Sequence, residues 1–171
     1  MGEEGKIEVA ILDKTIYVRP RGYALQANSL GLPDFLAAMF REGCTSVTFD
    51  LKDCSGMDST FLGVIAGAAM ARVRPRGKVV SIINAGERAK RQLAFIGLKS
   101  VVALVDKVSL GPGLRLAQVS SIHWPKTERE RVIKIKQLHE HLVNLNAKNK
   151  ERFGAAVQML EAELQEQKSN D

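Results

Sequence analysis

The sequence predicts an α/β fold: a mostly parallel sheet of four to five strands covered by helices, with a C-terminal helical extension. Over roughly the first 110 residues, short β-branched runs alternate with segments whose apolar residues recur at helical spacing. Beyond residue 126 only the helical spacing remains. With 171 residues and 45% apolar side chains, the chain can bury one core of ordinary size plus an appended element. The expected organisation is a domain over 1–110, a linker over 111–126 and an amphipathic helical element over 127–168.

Ile7 to Leu12 and Thr15 to Arg19 are β-branched runs separated by Asp13-Lys14, the pattern of a hairpin. From Leu30 the apolar positions Leu32, Phe35, Leu36, Met39 and Phe40 predict a helix that stops at Glu42-Gly43. The strand Val47 to Leu51 follows. A second helix runs from Ser59 to about Arg72, with Leu62, Ile65, Ala66 and Ala69 on one side, and ends before Pro75-Arg76-Gly77. Lys78 to Ile83 is the next apolar strand, Glu87 to Ile96 a third helix closed by Gly97, and Val101 to Val105 the last strand. Strands separated by helices pair in parallel through right-handed crossovers.

After Asp106 the pattern breaks at Gly111-Pro112-Gly113, and Leu114 to Val119 is a candidate edge segment. Thr127-Glu128-Arg129-Glu130 reads as a capping box that opens a helix. Ile133, Ile135, Leu138, Leu142 and Leu145 then form an apolar stripe that needs a partner surface, and Phe153, Val157, Leu160 and Leu164 form another. The run Leu145 to Lys150, with no apolar anchor after Leu145 beyond alanine, and Gly154, which weakens the helix further, predict a hairpin; one long coiled-coil-like helix is the alternative. A homodimer through these helices is one way to cover the stripe.

Composition narrows the function classes. The net charge of +6 is too small to mark nucleic-acid binding, and no basic block alternates with exposed aromatics. No apolar run approaches a membrane span or a signal-peptide core, which predicts a cytoplasmic protein without direct membrane insertion. Cys44 and Cys54 support neither a disulfide framework nor a zinc site and read as buried free thiols. Asp53 and Asp58, with no third acid or histidine nearby, are turn formers rather than metal ligands. His139 and His141 lie two apart on a helix, so they face different sides and do not chelate together. No catalytic triad, glycine-rich phosphate cradle or acid–base pair is visible, so the chain reads as a non-enzyme without cofactors. The cluster Arg72, Arg74, Arg76 and Lys78, with Arg88, Lys90 and Arg91, is a solvated surface or a steering patch for an acidic partner.

The informative motif is Leu51-Lys52-Asp53-Cys54-Ser55-Gly56-Met57-Asp58-Ser59, an apolar strand end and an acidic turn leading into a helix at Ser59. The first amides of a helix lack internal partners and carry the positive end of its dipole, so a phosphate on Ser59 would be tolerated there. With Leu62-Gly63-Val64-Ile65 after it, this stretch resembles the STAS domains, the bacterial anti-sigma-factor antagonists; the resemblance covers roughly residues 7–110. It implies that Ser59 is the phosphorylated switch, with Asp53, Asp58, Thr60 and Phe61 on the partner-binding surface. It also implies an anti-sigma-type serine kinase as partner and a separate phosphatase. Helix capping is the alternative role of Asp58-Ser59-Thr60. Two departures, no acid in Gly22 to Gln26 and Phe61 where the family commonly has glycine, favour a docking subunit of a transporter or scaffold that works without phosphorylation.

Overall fold

The computed structural model of the chain describes residues 4–71 and 79–170. The chain opens with an antiparallel pair, β1 (Lys6–Leu12) and β2 (Thr15–Ala24). Asp13 and Lys14 both take positive φ, 49° and 64°, the left-handed pair that lets a two-residue turn follow the twist of its strands. A short helix α1 (Gln26–Ser29) and α2 (Leu32–Arg41) lead to β3 (Ser46–Asp50) and β4 (Cys54–Met57). Then come α3 (Ser59–Met70), β5 (Val80–Ile83), α4 (Glu87–Ile96), β6 (Ala103–Val105) and β7 (Ala117–Gln118). Two long helices, α5 (Glu128–Leu145) and α6 (Ala147–Ser169), complete the described chain.

The sheet order is β6-β5-β3-β2-β1-β7, with β4 pairing β2 off this path. The β2–β3, β2–β4, β3–β5 and β5–β6 pairs are parallel, whereas β1 pairs antiparallel with both β2 and β7. The expected mostly parallel α/β architecture is therefore present, with seven strands among the described residues rather than four to five. The strand without a sequence signal is β4, four residues with no β-branched side chain, whereas β7, only two residues long, lies within the candidate edge segment Leu114 to Val119 and at the sheet edge. β4 pairs with the end of β2 past a register shift between Gly22 and Tyr23. Residues 111–126, expected to be a linker, carry β7 against β1, and Trp124 closes over Gly31 so tightly that a Cβ there would lie 2.8 Å from the indole nitrogen.

Alternation along the central strands sends Ile16, Val18, Val47, Phe49, Val80 and Ile82 into the core. On the opposite face Arg19 holds the buried Asp50 through Nη2 at 2.9 Å, and Asn84 Nδ2 donates to the same carboxylate at 3.1 Å. Asn84 also exchanges hydrogen bonds with the Val108 backbone, tying the chain after β6 to the sheet. Helix α3 has no polar side chain after Thr60, so it has no face suited to water. It is buried from Thr60 to Ala66, by the sheet on one side and by α5 on the other.

The C-terminal element is a hairpin. Asn146 is extended, with φ −164° and ψ 165°, and breaks the helix; its Oδ1 then caps α6 by accepting the Asn149 amide at 2.9 Å. The side-chain amides of Asn146 and of the fully buried Asn149 both donate to the Ile96 carbonyl at 2.9 Å, fastening the break to the end of α4. There Gly97 adopts φ 88°, the left-handed conformation that closes many helices. At the start of α5 the capping box forms with one shift: Thr127 Oγ1 accepts the Glu130 amide, while the Glu130 carboxylate takes the amide of Lys126 rather than that of Thr127. The buried stripe on α5 is Val132, Ile135, Leu138, His139 and Leu142, with Ile133 only half-buried. Val132, not Ile133, keeps the helical spacing to Ile135 and Leu138.

Candidate functional site

The Asp58-Ser59-Thr60 triplet opens α3 as the sequence suggests, but the residues divide the work unequally. Asp58 is the N-cap: its Oδ1 accepts the Phe61 amide at 2.9 Å. Its Oδ2 accepts the Gln26 amide at 2.6 Å, so one carboxylate holds the starts of both α1 and α3. The Leu62 amide bonds the Asp58 carbonyl at 3.0 Å. Two of the helix's first amides are thus occupied, and an anion at this end meets the helix dipole more than these donors.

Ser59, the first residue of α3, is half-buried rather than exposed. Its Oγ lies 3.0 Å from Nε2 of His139, across 80 residues of sequence. His139 Nδ1 lies 2.9 Å from the Ile135 carbonyl, which can only accept, so Nδ1 carries a hydrogen. In the neutral ring Nε2 is then the acceptor, and the Ser59 hydroxyl donates to it. The imidazole is buried and meets Phe153 of α6 edge-on at 6.2 Å, so both helices of the hairpin fix it. A hydrogen bond to an oriented imidazole makes a serine hydroxyl a better nucleophile, but here the third group is a backbone carbonyl and the imidazole belongs to the helix that covers the serine.

The neighbouring positions correct the expected binding surface. Thr60 is 2% exposed and Phe61 is not exposed at all; its ring meets Phe49 edge-on at 5.9 Å. The side chains of Thr60 and Phe61 point inward because α3 lies on the sheet, so neither offers a docking surface. Asp53 does lie at the surface, in the turn before β4, with its carboxylate 3.3 Å from Arg21 Nη1. Arg21 also binds Glu8 at 2.6 Å. Burial pushes the Glu8 carboxyl up, yet Arg21 and Lys6 together outweigh it and hold the group below its ordinary range.

Helix α5 crosses α3 at the two glycines of Gly63-Val64-Ile65-Ala66-Gly67. A Cβ at Gly63 would run into the Leu138 carbonyl, and one at Gly67 into the His141 ring. His141 Nδ1 also lies 3.3 Å from the Gly63 carbonyl, so both histidines of α5 meet α3, although they do not meet each other's ligands. Lys134 Nζ pairs with Asp34 of α2 at 2.6 Å, anchoring the start of the same contact. Sequence reasoning placed these histidines on different sides of their helix and missed the Ser59–His139 pair; no local pattern links positions 80 residues apart.

Cys44 is buried and Cys54 half-buried, both free thiols. Burial pushes the Cys54 thiol up, against weaker opposing effects from Gly56, Ala24 and Arg88. On α4, Lys90 is tied to Asp106 at 3.0 Å, while Arg88 and Arg91 are exposed. The basic positions Arg72, Arg74, Arg76 and Lys78 lie outside the described residues. Among the described residues, no group of three His, Cys, Asp or Glu side chains is placed to hold a metal ion, and no helix is long and apolar enough to cross a membrane.

No protein-family model matches the sequence, and no curated protein matches it. Solved structures do match. The anti-sigma factor antagonist SpoIIAA in its unphosphorylated form superposes with a TM-score of 0.53 at 16% identity, over 60% of this chain and 89% of that one. The phosphorylated form of SpoIIAA, a Bacillus cell fate determinant, gives 0.50 at 16% identity, over 60% and 92%. An anti-sigma factor antagonist from Mycobacterium paratuberculosis gives 0.51 at 16% identity, over 61% and 87%. The chain has the STAS-like fold of these antagonists.

Proposed function

We propose that the chain is a non-enzymatic, cytoplasmic regulator of the anti-sigma-factor-antagonist type, whose binding to a partner protein is controlled by phosphorylation of Ser59. The observation that carries this reading is the position of Ser59, first residue of α3 directly after the Asp58 cap, in a fold whose solved examples include phosphorylated and unphosphorylated antagonists. The partner is a serine kinase of the anti-sigma type, and a separate phosphatase resets the switch. Nucleotide then belongs to the kinase, and this chain needs no cofactor.

The mechanism is electrostatic. Phosphorylation adds about two negative charges and three acceptor oxygens beside Asp58. A partner that packs over unmodified Ser59 must then desolvate or repel that charge, and a penalty of about 4 kcal/mol weakens binding roughly a thousandfold. A docking subunit that works without phosphorylation is the second reading, favoured by the cover that α5 places over Ser59. Self-association is not required to bury the α5 stripe, because α3 already covers it within the chain.

Affinity capture with full-length baits separates the two. Ser59→Ala gives up one hydrogen bond, about 1 kcal/mol, and is expected to keep the partner. Ser59→Asp is expected to bind the captured, mass-identified kinase at least tenfold more weakly in titration. Equal binding by both variants would leave the docking subunit as the better reading.

A further inference from the structure

We propose that the α5–α6 hairpin is a cover for the Ser59 face of α3, and that hairpin docking and a phosphate on Ser59 exclude each other. This deepens the reading of Ser59 given above and rests on it for its biological use. Three observations carry it. First, the 3.0 Å between Ser59 Oγ and His139 Nε2 is already hydrogen-bond contact, so a phosphorus and three oxygens on Oγ compete for the volume that the imidazole fills. Second, the ring cannot easily yield that volume: His139 is buried, held to the Ile135 carbonyl and backed by Phe153, so moving it disturbs both helices of the hairpin. Third, the two halves are built to meet closely, since Gly63 and Gly67 leave room for the Leu138 backbone and the His141 ring, where any side chain would collide.

The face beneath the cover suits a helix and little else. It is a strip of α3 floored by two glycines and otherwise apolar, and α5 packs on it, with its buried Ile135, Leu138 and Leu142 in the same apolar core and Leu138 set against Gly63. Those side chains make full release of the hairpin unfavourable unless another apolar surface takes its place. Phosphorylation therefore opens α5 locally around His139 and leaves the rest of the hairpin docked. By linkage, a docked hairpin disfavours the phosphorylated state of Ser59 at equilibrium by the same free energy by which the phosphate loosens the hairpin.

The test is amide hydrogen exchange on the full chain with phosphoserine encoded at position 59, compared with the unmodified chain. Amides of α5 around Ile135–Leu142 are expected to exchange at least tenfold faster in the phosphorylated chain, with β3 and β5 unchanged. Introducing His139→Ala into the phosphorylated chain removes the ring that the phosphate displaces and is expected to restore most of the α5 protection. Unchanged or stronger protection of α5 with phosphoserine would overturn the proposal, because the imidazole would then be a ligand of the phosphate. Loss of protection throughout the sheet, or no rescue by His139→Ala, would overturn it as well. Since no partner is present, these outcomes are independent of the capture experiment: partner binding can follow the charge on Ser59 even if the hairpin stays closed, and the hairpin can open even if no kinase is captured.

Discussion

Phe61→Ala is expected to lower the stability of the fold by about 3–5 kcal/mol, the range for truncating a buried phenylalanine. The ring has no exposed surface and meets Phe49 of β3 edge-on, a pairing that adds about 0.5–1.5 kcal/mol beyond its area. Phe61→Leu, which keeps most of the volume, is expected to cost less than half as much. Urea unfolding with an unchanged slope and a lowered midpoint is the signature. A loss below about 1 kcal/mol would place Phe61 at a surface, as the family resemblance alone implies.

Asp58→Ala is expected to cost about 3 kcal/mol, because the carboxylate accepts two backbone amides and bonds to a charged group contribute about 1.5–3 kcal/mol each. The same variant should loosen two places far apart in sequence, with Gln26 at the start of α1 and Phe61 at the start of α3 both exchanging amide hydrogen faster. Asp58→Asn keeps one acceptor but turns a donor toward the other amide, so an intermediate loss is expected. A loss confined to α3 would mean that the Gln26 contact is unimportant.

Much of the fold was legible because its signals are local. The Asp13-Lys14 turn and the helix end at Gly97 each follow from the conformation of one or two residues and lie where the sequence places them, and the break at Asn146 falls within the run Leu145 to Lys150, which has no apolar anchor after Leu145 beyond alanine. The strand β4 is too short to show a period, whereas the two-residue β7 falls within Leu114 to Val119, which the sequence offers as an edge segment. For α5 the stripe was found but started one residue late, at Ile133 instead of Val132, because two adjacent β-branched residues fit the apolar pattern almost equally well.

The site was legible at Asp58 and Ser59 and misread around them. The resemblance implies a surface position for Thr60 and Phe61, yet both side chains are buried in the fold. One signal of the cover was present: from Phe61 to Met70 the chain offers no polar side chain, so no face of α3 is suited to water and something must cover both sides. That pattern demands a second packing surface without naming it. The identity of α5, and the meeting of Ser59 with His139, depend on tertiary contact that no local spacing encodes.

The most direct measurement is site-resolved phosphopeptide mapping of the protein recovered from its own cells. The account predicts phosphate on Ser59, at an occupancy that changes with growth condition, and none on Ser55 or Thr60 in the same peptide. An unmodified Ser59 under every condition, or phosphate on Ser55 or Thr60 in its place, would contradict it.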